Sequence, residues 1–334
     1  MTSISICIPT YNGAEFLEPC LDSLAQQTWQ DFEVVVCDDA SSDDTWHILK
    51  RYAARDNRFR IYRNPVRLGL VGNWQRCLEK AQGEWTKFLF QDDLLEPDCL
   101  SIFADNLDPS HPLIFCRRRF LMDDSLEDSA RIHYQSLPSL DTLFPGTTFI
   151  TPHQLIDTLL VRTRQNFLGE PTTCMIHRSV FERYGNFDED LVQFCDFEYW
   201  IRIGIHEGIA YIPKTLASFR LHSNSTSSTN RLNFRSEYLD ELLIWNAWCY
   251  HPLYRPLRRR ARELGINLKR KLAAQSFWLE RYVRELARDD PEPLSQWNQV
   301  MKRHRPQLYR NPYIWPLMAK EWLNKHLFWR FQTS

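Results

Sequence analysis

Carboxylates gather at a few places in this 334-residue chain, and each place follows an apolar run. Residues 32–37, FEVVVC, lead into Asp38-Asp39-Ala40-Ser41-Ser42-Asp43-Asp44. Two adjacent carboxylates behind a buried run repel each other unless a cation or a hydrogen-bond donor faces them. One chemistry that fits is acceptance of the imide N–H of uracil or thymine in a charge-assisted hydrogen bond. Helix capping is the other reading, and it suits Ser42 and Asp43 better than Asp38 and Asp39. Residues 85–90, WTKFLF, likewise lead into Gln91-Asp92-Asp93. Carboxylates are hard ligands for Mg2+ or Mn2+, ions that take few protein oxygens and otherwise hold phosphates and water. Such an ion would neutralise a departing diphosphate. A solvated turn before a helix beginning at Pro97 is the alternative. Pro9-Thr10-Tyr11-Asn12 closes the first apolar run, and Arg220 and His222 close the last.

Such clusters need a scaffold that brings strand ends together. Ile4, Ile6 and Ile8 alternate with Ser5 and Cys7, a period of two that predicts a strand over residues 3–9. Tyr11-Asn12-Gly13 supplies a turn. Phe16, Leu17, Cys20, Leu21 and Leu24 then recur at helical spacing, with Pro19 near that helix's first turn. Residues 32–37 suit a strand covered on both faces. A helix is expected from Ser42 or Asp43, a strand at Ile61-Tyr62, and a helix through Val71, Trp74, Cys77, Leu78 and Ala81 that ends at Gly83. A strand over residues 85–90 follows. This alternation implies βαβ units and a mostly parallel sheet, whose ligands sit beyond the carboxyl ends of its strands.

Beyond Leu113-Ile114-Phe115-Cys116 the pattern weakens. Residues 117–151 mix charge, Pro and Ser and read as a variable insertion. A strand is expected over 172–177, a helix over 196–205, a strand over 216–221 and a polar loop over 223–229. From Asn233 the chain reads as helices, with proline breaks near Pro252, Pro291 and Pro306.

The order SISICIPTYN, FEVVVCDDASSDDT, AQGEWTKFLFQDDLLEPD resembles the family 2 glycosyltransferases of the GT-A fold, over roughly residues 1 to 225. The resemblance implies an α/β fold with a Rossmann-like, mostly parallel central sheet flanked by helices, followed here by a C-terminal helical extension. It implies transfer of a sugar from a nucleoside-diphosphate sugar, UDP- or dTDP-linked, to a hydroxyl of a glycan or lipid-linked glycan, with inversion and with Mn2+ or Mg2+ as cofactor. By similarity Thr10 and Asp39 contact the nucleobase, with Pro9, Tyr11, Asp38, Arg67 and Asn73 in the same donor site. Asp92 is set at the last acidic position of the D-x-D metal motif, with Asp93 beside it. Phe90 stands where many relatives have the first aspartate, which leaves Gln91 to share the ribose and metal contacts.

Gly185-Asn186-Phe187-Asp188-Glu189-Asp190-Leu191 and Phe194-Cys195-Asp196-Phe197-Glu198 are similar to the family's acceptor-side segment, with Asp196 at its catalytic aspartate and Cys195 in place of the usual glutamate. A base there takes the proton of an acceptor hydroxyl during attack. Phe194, Phe197 and Trp200 would desolvate the carboxylate and raise its pKa. Asp196 would also serve as a helix N-cap. Phe219-Arg220-Leu221-His222 is similar to a closing R-x-H loop, which sets His222 toward metal or diphosphate and Arg220 toward an acidic group. Glu170 falls on the acceptor side or near the diphosphate. A structural histidine and a plain loop are the competing readings.

The composition, 43% hydrophobic and 25% charged, is that of a soluble globular protein. The nine cysteines form no C-x-x-C pair and no metal spacing with histidine, so reduced thiols are expected. No run approaches 18 apolar residues, and the start lacks a basic segment before a long apolar one, so a cytoplasmic protein is expected. The net charge of -1 conceals an asymmetry, since residues 250–334 hold about 18 Lys/Arg against about 7 Asp/Glu. Two domains follow: a catalytic domain over 1–232, divided into a nucleotide-sugar half (1–110) and an acceptor half (111–232), and a basic helical extension over 233–334. The basic helices suit peripheral contact with anionic lipid, or simple packing with their arginines in solvent. Nucleic acid is not expected as a partner, because the acidic main domain repels it. Two other classes compete. A sugar-1-phosphate nucleotidyltransferase would need a Gly-rich basic loop after strand one, and Pro9-Thr10-Tyr11-Asn12-Gly13 offers none. A non-catalytic nucleotide-sugar-binding protein would share the fold.

Overall fold

The structure, a computed structural model, describes residues 4–162, 166–225 and 238–327. It divides into two compact units, Met1–Thr229 and Asn230–Ser334. The last four residues of the expected polar loop, 226–229, and the start of the expected helical region, 233–237, lie outside the described residues.

In the first unit, strands β1 (Ile4–Thr10), β2 (Phe32–Asp38), β3 (Phe59–Arg63) and β4 (Trp85–Phe88) run parallel in the order β3-β2-β1-β4. Helices α1 (Ala14–Ala25), α2 (Thr45–Ala53) and α3 (Gly69–Lys80) form the crossovers. Ile4, Ile6, Ile8, Val34 and Val36 pack with Leu17, Leu21, Leu24 and Leu49 on one face. Cys7 and Cys37 meet Cys77 of α3 on the other. Covered on both sides, β2 is buried at every position, which is why its sequence is a continuous apolar run.

The sheet continues through short β5 (Leu94–Leu95), β6 (Leu113–Met122), β7 (Phe149–Ile150), β8 (Cys174–His177) and long β9 (Ile209–Leu221). The full order is β3-β2-β1-β4-β8-β6-β9-β5, with β7 also on β9. β6 and β9 pair in parallel, whereas the β4–β8, β6–β8, β5–β9 and β7–β9 ladders are short and antiparallel. Helices α4 (Cys99–Ala104), α5 (Asp128–Ser136), α6 (Leu140–Leu143), α7 (Pro152–Val161), α8 (Ser179–Tyr184) and α9 (Cys195–Glu207) complete the unit.

Several boundaries depart from the sequence reading. Pro19 lies inside α1, on an exposed position, rather than in its first turn. α2 begins at Thr45 because Ser42 and Asp43 are drawn to the turn after β1: Ser42 N donates to Asn12 Oδ1 (2.8 Å) and Ala14 N to Asp43 Oδ2 (3.0 Å). Gly83 does not end α3, which stops before Ala81. Its role is close approach, since a Cβ there would stand 2.7 Å from Ser5 N. β4 ends at Phe88, two residues early.

The stretch 117–151 is not a structureless insertion. Residues 117–122 complete β6, paired with β9 as far as Leu221. Three arginines conceal this strand in the sequence; Arg117 pairs with Asp141 (2.7 Å), Arg118 with Glu170 (3.3 Å) and Arg119 with Glu96 (2.8 Å). α5 and the turn before it add a small core of Leu126, Ala130 and Tyr134 against Phe219 and Leu221. β9 starts seven residues before the expected 216, because the register shift from Cys116↔Ile212 to Arg117↔Thr215 accommodates Pro213, which cannot donate to a ladder.

The second unit is helical: α10 (Asp240–Tyr250), α11 (Arg255–Glu263), α12 (Leu268–Leu286), α13 (Glu292–Tyr309) and α14 (Ile314–Leu327). α12 buries Leu268, Leu272, Leu279 and Val283, and packs on α10, α13 and α14. Pro252 opens a 3-10 turn and Pro291 precedes α13, but α13 continues through Pro306, so the third expected break is absent. Among the described residues no helix is long and apolar enough to cross a membrane.

Candidate active site

Strand order reverses at β1: the chain leaves it toward β2 and β3, then returns to β4 on the other side. Ligands of such sheets settle at that switch point, beyond the strand carboxyl ends. Thr10-Tyr11 follows β1 and Gln91-Asp92-Asp93 follows β4. Gln91 bridges the gap, its Oε1 accepting from Tyr11 N (2.9 Å) and its Nε2 donating to Tyr11 O (3.1 Å). The exposed Tyr11 ring carries the Arg67 guanidinium at 4.0 Å from its centroid.

Asp39, after β2, is buried and anchored. Its N–H donates to Thr10 O (2.8 Å). Its Oδ1 accepts from Leu68 N (2.7 Å) and Asn64 Nδ2 (2.9 Å), and its Oδ2 from Gly69 N (2.9 Å). Its neighbour Asp38 turns inward to Ser41 and to Arg63 Nε (3.2 Å). Asn73 donates to Cys37 O (2.9 Å) and Thr10 O (3.3 Å). Asp38 and Asn73, expected in the donor site, therefore have their polar atoms engaged within the chain and brace the ends of β1 and β2.

The next carboxylate pair divides the same way. Asp92 Oδ2 lies 3.2 Å from His222 Nε2, and Asp92 O accepts from Arg220 Nε (2.9 Å). The His222 ring and the Arg220 guanidinium both rest on Phe16 of α1, at 4.5 and 5.1 Å. Asp93 is fully buried, accepting from Thr172 Oγ1 and from Arg220 N (2.9 Å). Burial and the adjacent Asp92 hold its carboxyl well above the usual range. Asp93 thus ties the segment after β4 to β9. Phe90 points into an apolar cluster with Trp74 (5.0 Å), so no second acid stands beside Asp92 on that side. Among the described residues no three His, Cys, Asp or Glu side chains converge as a cage for a cation.

Thr172 carries the edge onward. It sits in the 3-10 turn Pro171–Thr173, which follows Glu170 and is held from below by Lys87 Nζ on Thr172 O (2.6 Å). Glu170 is in the electrostatic field of both Asp93 and Asp196. Asp196 is the second residue of α9; Phe194, not Asp196, occupies the N-cap position. Its Oδ1 accepts from Phe197 N (2.6 Å). Burial, then the neighbouring Glu170 carboxylate, push its pKa to about 7, against the opposing pull of Phe197 N–H and Arg118. A helix N-terminus favours the anion, so desolvation outweighs the dipole here.

Hydrogen bonds and chain continuity link Asp39, Thr10, Tyr11, Gln91, Asp92, Asp93, Thr172 and Glu170, and Asp196 lies within the electrostatic field of Glu170. The sequence reading missed Asn64, Phe16 and Arg118 as parts of this edge. None lies in a run of like chemistry, and only Arg118 carries a signal, one of three adjacent arginines inside an otherwise apolar strand.

A mixed sheet with carboxylates at its strand ends suits an enzyme that binds its ligand at that edge, and the comparisons identify the class. The model of glycosyl transferase family 2 matches residues 5–185, and the chain belongs to that family. It is a glycosyltransferase of the GT-A fold. The uncharacterized protein MT1568 of Mycobacterium tuberculosis is 33% identical over 247 residues, which are 72% of this chain and 75% of that protein. The GalNAc(5)-diNAcBac-PP-undecaprenol beta-1,3-glucosyltransferase of Campylobacter jejuni is 32% identical over 116 residues, 34% of this chain and 38% of that enzyme. Among solved structures, S. aureus TarS 1-349 in complex with UDP-GlcNAc superposes with a TM-score of 0.58 at 18% identity, covering 91% of each chain. The mannosyltransferase PcManGT from Pyrobaculum calidifontis, in complex with GDP-Man and Mn2+, gives 0.55 at 17% identity, covering 97% of this chain and 87% of that one.

Proposed function

We propose that the chain transfers a sugar from a UDP- or dTDP-linked donor to a hydroxyl of a glycan or lipid-linked glycan, with inversion at the anomeric carbon. Asp39 and Thr10 hold the nucleobase, with Pro9, Tyr11 and Arg67 around it and Gln91 near the ribose. Asp196 takes the proton of the acceptor hydroxyl. The oxygen attacks the anomeric carbon, the bond to the diphosphate breaks, and the nucleoside diphosphate leaves. What supports this reading most is Asp196, a buried carboxylate that among the described residues accepts only from Phe197 N–H and has a pKa of about 7, poised to exchange a proton near neutral pH. The undecaprenol-linked substrate in the Campylobacter relative's name supports a lipid-linked acceptor.

Asp92 and His222 fit a divalent ion, since one carboxylate oxygen and one imidazole nitrogen already face each other at 3.2 Å and such ions take phosphates for the rest of their shell. Mn2+ or Mg2+ held there would supply positive charge to the leaving diphosphate. Arg220, fixed on Asp92 O and Phe16, orients Asp92. Asp92→Ala should weaken UDP binding at least about tenfold in Mn2+ and leave metal-free binding unchanged. Identical calorimetric titrations with and without the mutation would remove the metal assignment. The activity itself is tested by nucleotide release from UDP-, dTDP- and GDP-linked hexoses with and without glycan acceptors. Release that no acceptor accelerates for any donor counts against transfer.

We infer that the basic second unit makes a peripheral contact with anionic lipid at the cytoplasmic membrane face. α11 buries Leu257 and Ala261 while carrying five arginines, and Trp278 of α12 is half exposed beside Tyr282. Full-length protein should co-sediment with vesicles containing a third phosphatidylglycerol and lose most of that binding at high salt. Equal retention on neutral vesicles would reject an electrostatic contact.

A further inference from the structure

Glu170 differs from the other buried carboxylates of the first unit. Glu33 accepts from Ser5 and Arg60, Asp39 from three donors, Asp93 from two and Glu198 from Arg202. Glu170 is only 8% exposed, yet neither of its carboxylate oxygens accepts a hydrogen bond from the described residues, and Oε2 is fully enclosed. Its charged neighbour is Arg118, whose Nη1 lies 3.3 Å from Oε2 without hydrogen-bond geometry. Arg118 is itself nearly buried and donates only a long bond, from Nη2 to Asn166 O (3.4 Å), while its guanidinium lies over the Phe120 ring (5.0 Å). A buried carboxylate and a largely covered guanidinium thus both keep most of their hydrogen-bonding capacity. That is costly unless a ligand completes it.

The surroundings keep this arrangement in place. Thr173 Oγ1 donates to Glu170 O (2.7 Å), and Lys87 and Asp93 hold Thr172 beside it. Gly169 has φ +121, and a Cβ there would stand 2.8 Å from Arg118 Nη1, so the glycine leaves the room the guanidinium uses. Hydroxyls both donate and accept, whereas a carboxylate only accepts and a guanidinium only donates. Two adjacent hydroxyls satisfy both groups at once. We propose that Glu170 and Arg118 form a subsite that grips a pair of neighbouring sugar hydroxyls beside Asp196, one donating to the carboxylate and the other accepting from the guanidinium. The inference rests on reading the site as a sugar-transfer centre. The hydroxyls belong either to the donor's sugar or to the acceptor's, and the test separates the two.

Glu170→Gln and Arg118→Lys keep size and shape, and thermal unfolding confirms that each is folded. Steady-state kcat and KM are measured with the active donor and acceptor and with deoxy analogues of each. Either substitution should lower kcat/KM roughly ten- to hundredfold. Removing the gripped hydroxyl should harm the wild type and be nearly silent in the variants, the signature of a direct contact. A silent position on the nucleotide sugar assigns the subsite to the donor, and one on the acceptor assigns it there. The same loss for every deoxy analogue in wild type and variants overturns the proposal. Should the wild type turn over no donor, the reading of the function fails, and the subsite is read separately by saturation-transfer NMR with UDP-glucose, UDP-galactose, UDP-N-acetylglucosamine and methyl glycosides. Sugar-proton signals that fall in Glu170→Gln while uridine signals persist support it. Sugar signals absent from the wild type, or unchanged in both variants, overturn it.

Discussion

Asp196→Asn should lower turnover by about two to four orders of magnitude, the usual contribution of a general base, while making the protein more stable at pH 8. The two effects share one cause. The native carboxyl has a pKa of about 7, against roughly 3.9 in an unfolded chain. Between those values the folded state binds more protons than the unfolded state, so stability falls as pH rises through that window, and the penalty is complete above it. The interval sets an upper bound of about 4 kcal/mol, which local relaxation reduces. Asn carries no charge to desolvate and keeps an oxygen for Phe197 N–H. Urea unfolding at pH 8 should therefore show a gain of about 1–3 kcal/mol, shrinking toward zero near pH 4. In the wild type, kcat/KM should fall about tenfold per unit below pH 7, because the base must be ionised to accept a proton. Turnover of Asp196→Asn close to the wild-type value would take the base role away, whatever its stability.

The strands that end at the site were legible because each is an apolar run that stops at polar residues. The runs at 3–9, 32–37 and 85–90 place β1, β2 and β4 to within one or two residues of Ile4–Thr10, Phe32–Asp38 and Trp85–Phe88, and with them the carboxyl edge where Thr10, Asp39 and Asp92 stand. The partition within each carboxylate pair was not legible. Asp38 ends β2 and Asp39 follows it directly, and how each carboxylate is engaged depends on Ser41 and Arg63 for one and on Leu68, Gly69 and Asn64 for the other. Asp92 and Asp93 are likewise separated by Thr172 and His222, which lie far along the chain. β6 was hidden for a different reason. Its three arginines look like a solvated stretch until Asp141, Glu170 and Glu96 arrive from other elements to pair with them. Periodicity reports burial of apolar residues. It does not report a strand whose charges are neutralised by tertiary contacts.

Asp39 should answer differently to two substitutions. Asp39→Ala removes the acceptor for Leu68 N–H, Gly69 N–H and Asn64 Nδ2 together. Removing the shared acceptor of three donors, two of them at a part-buried helix start, should cost about 1–3 kcal/mol in urea unfolding and loosen the start of α3. Asp39→Asn keeps one oxygen, sufficient for Leu68 and Asn64, which both use Oδ1. Its amide nitrogen then replaces Oδ2, turning a donor toward Gly69 N–H and toward any nucleobase in the site. The imide N–H of uracil is repelled by a donor, whereas the corresponding ring nitrogen of cytosine is an acceptor. If Asp39 reads the base, Asp39→Asn should bind UDP roughly ten- to hundredfold more weakly and lose its preference for UDP over CDP. Calorimetry with both nucleotides in Mn2+ distinguishes this from simple damage, which would weaken both alike. An unaltered UDP/CDP ratio in a folded Asp39→Asn protein would leave Asp39 as a brace for α3 and move base recognition to Tyr11 and Arg67, whose stacked ring and guanidinium are exposed on the same edge.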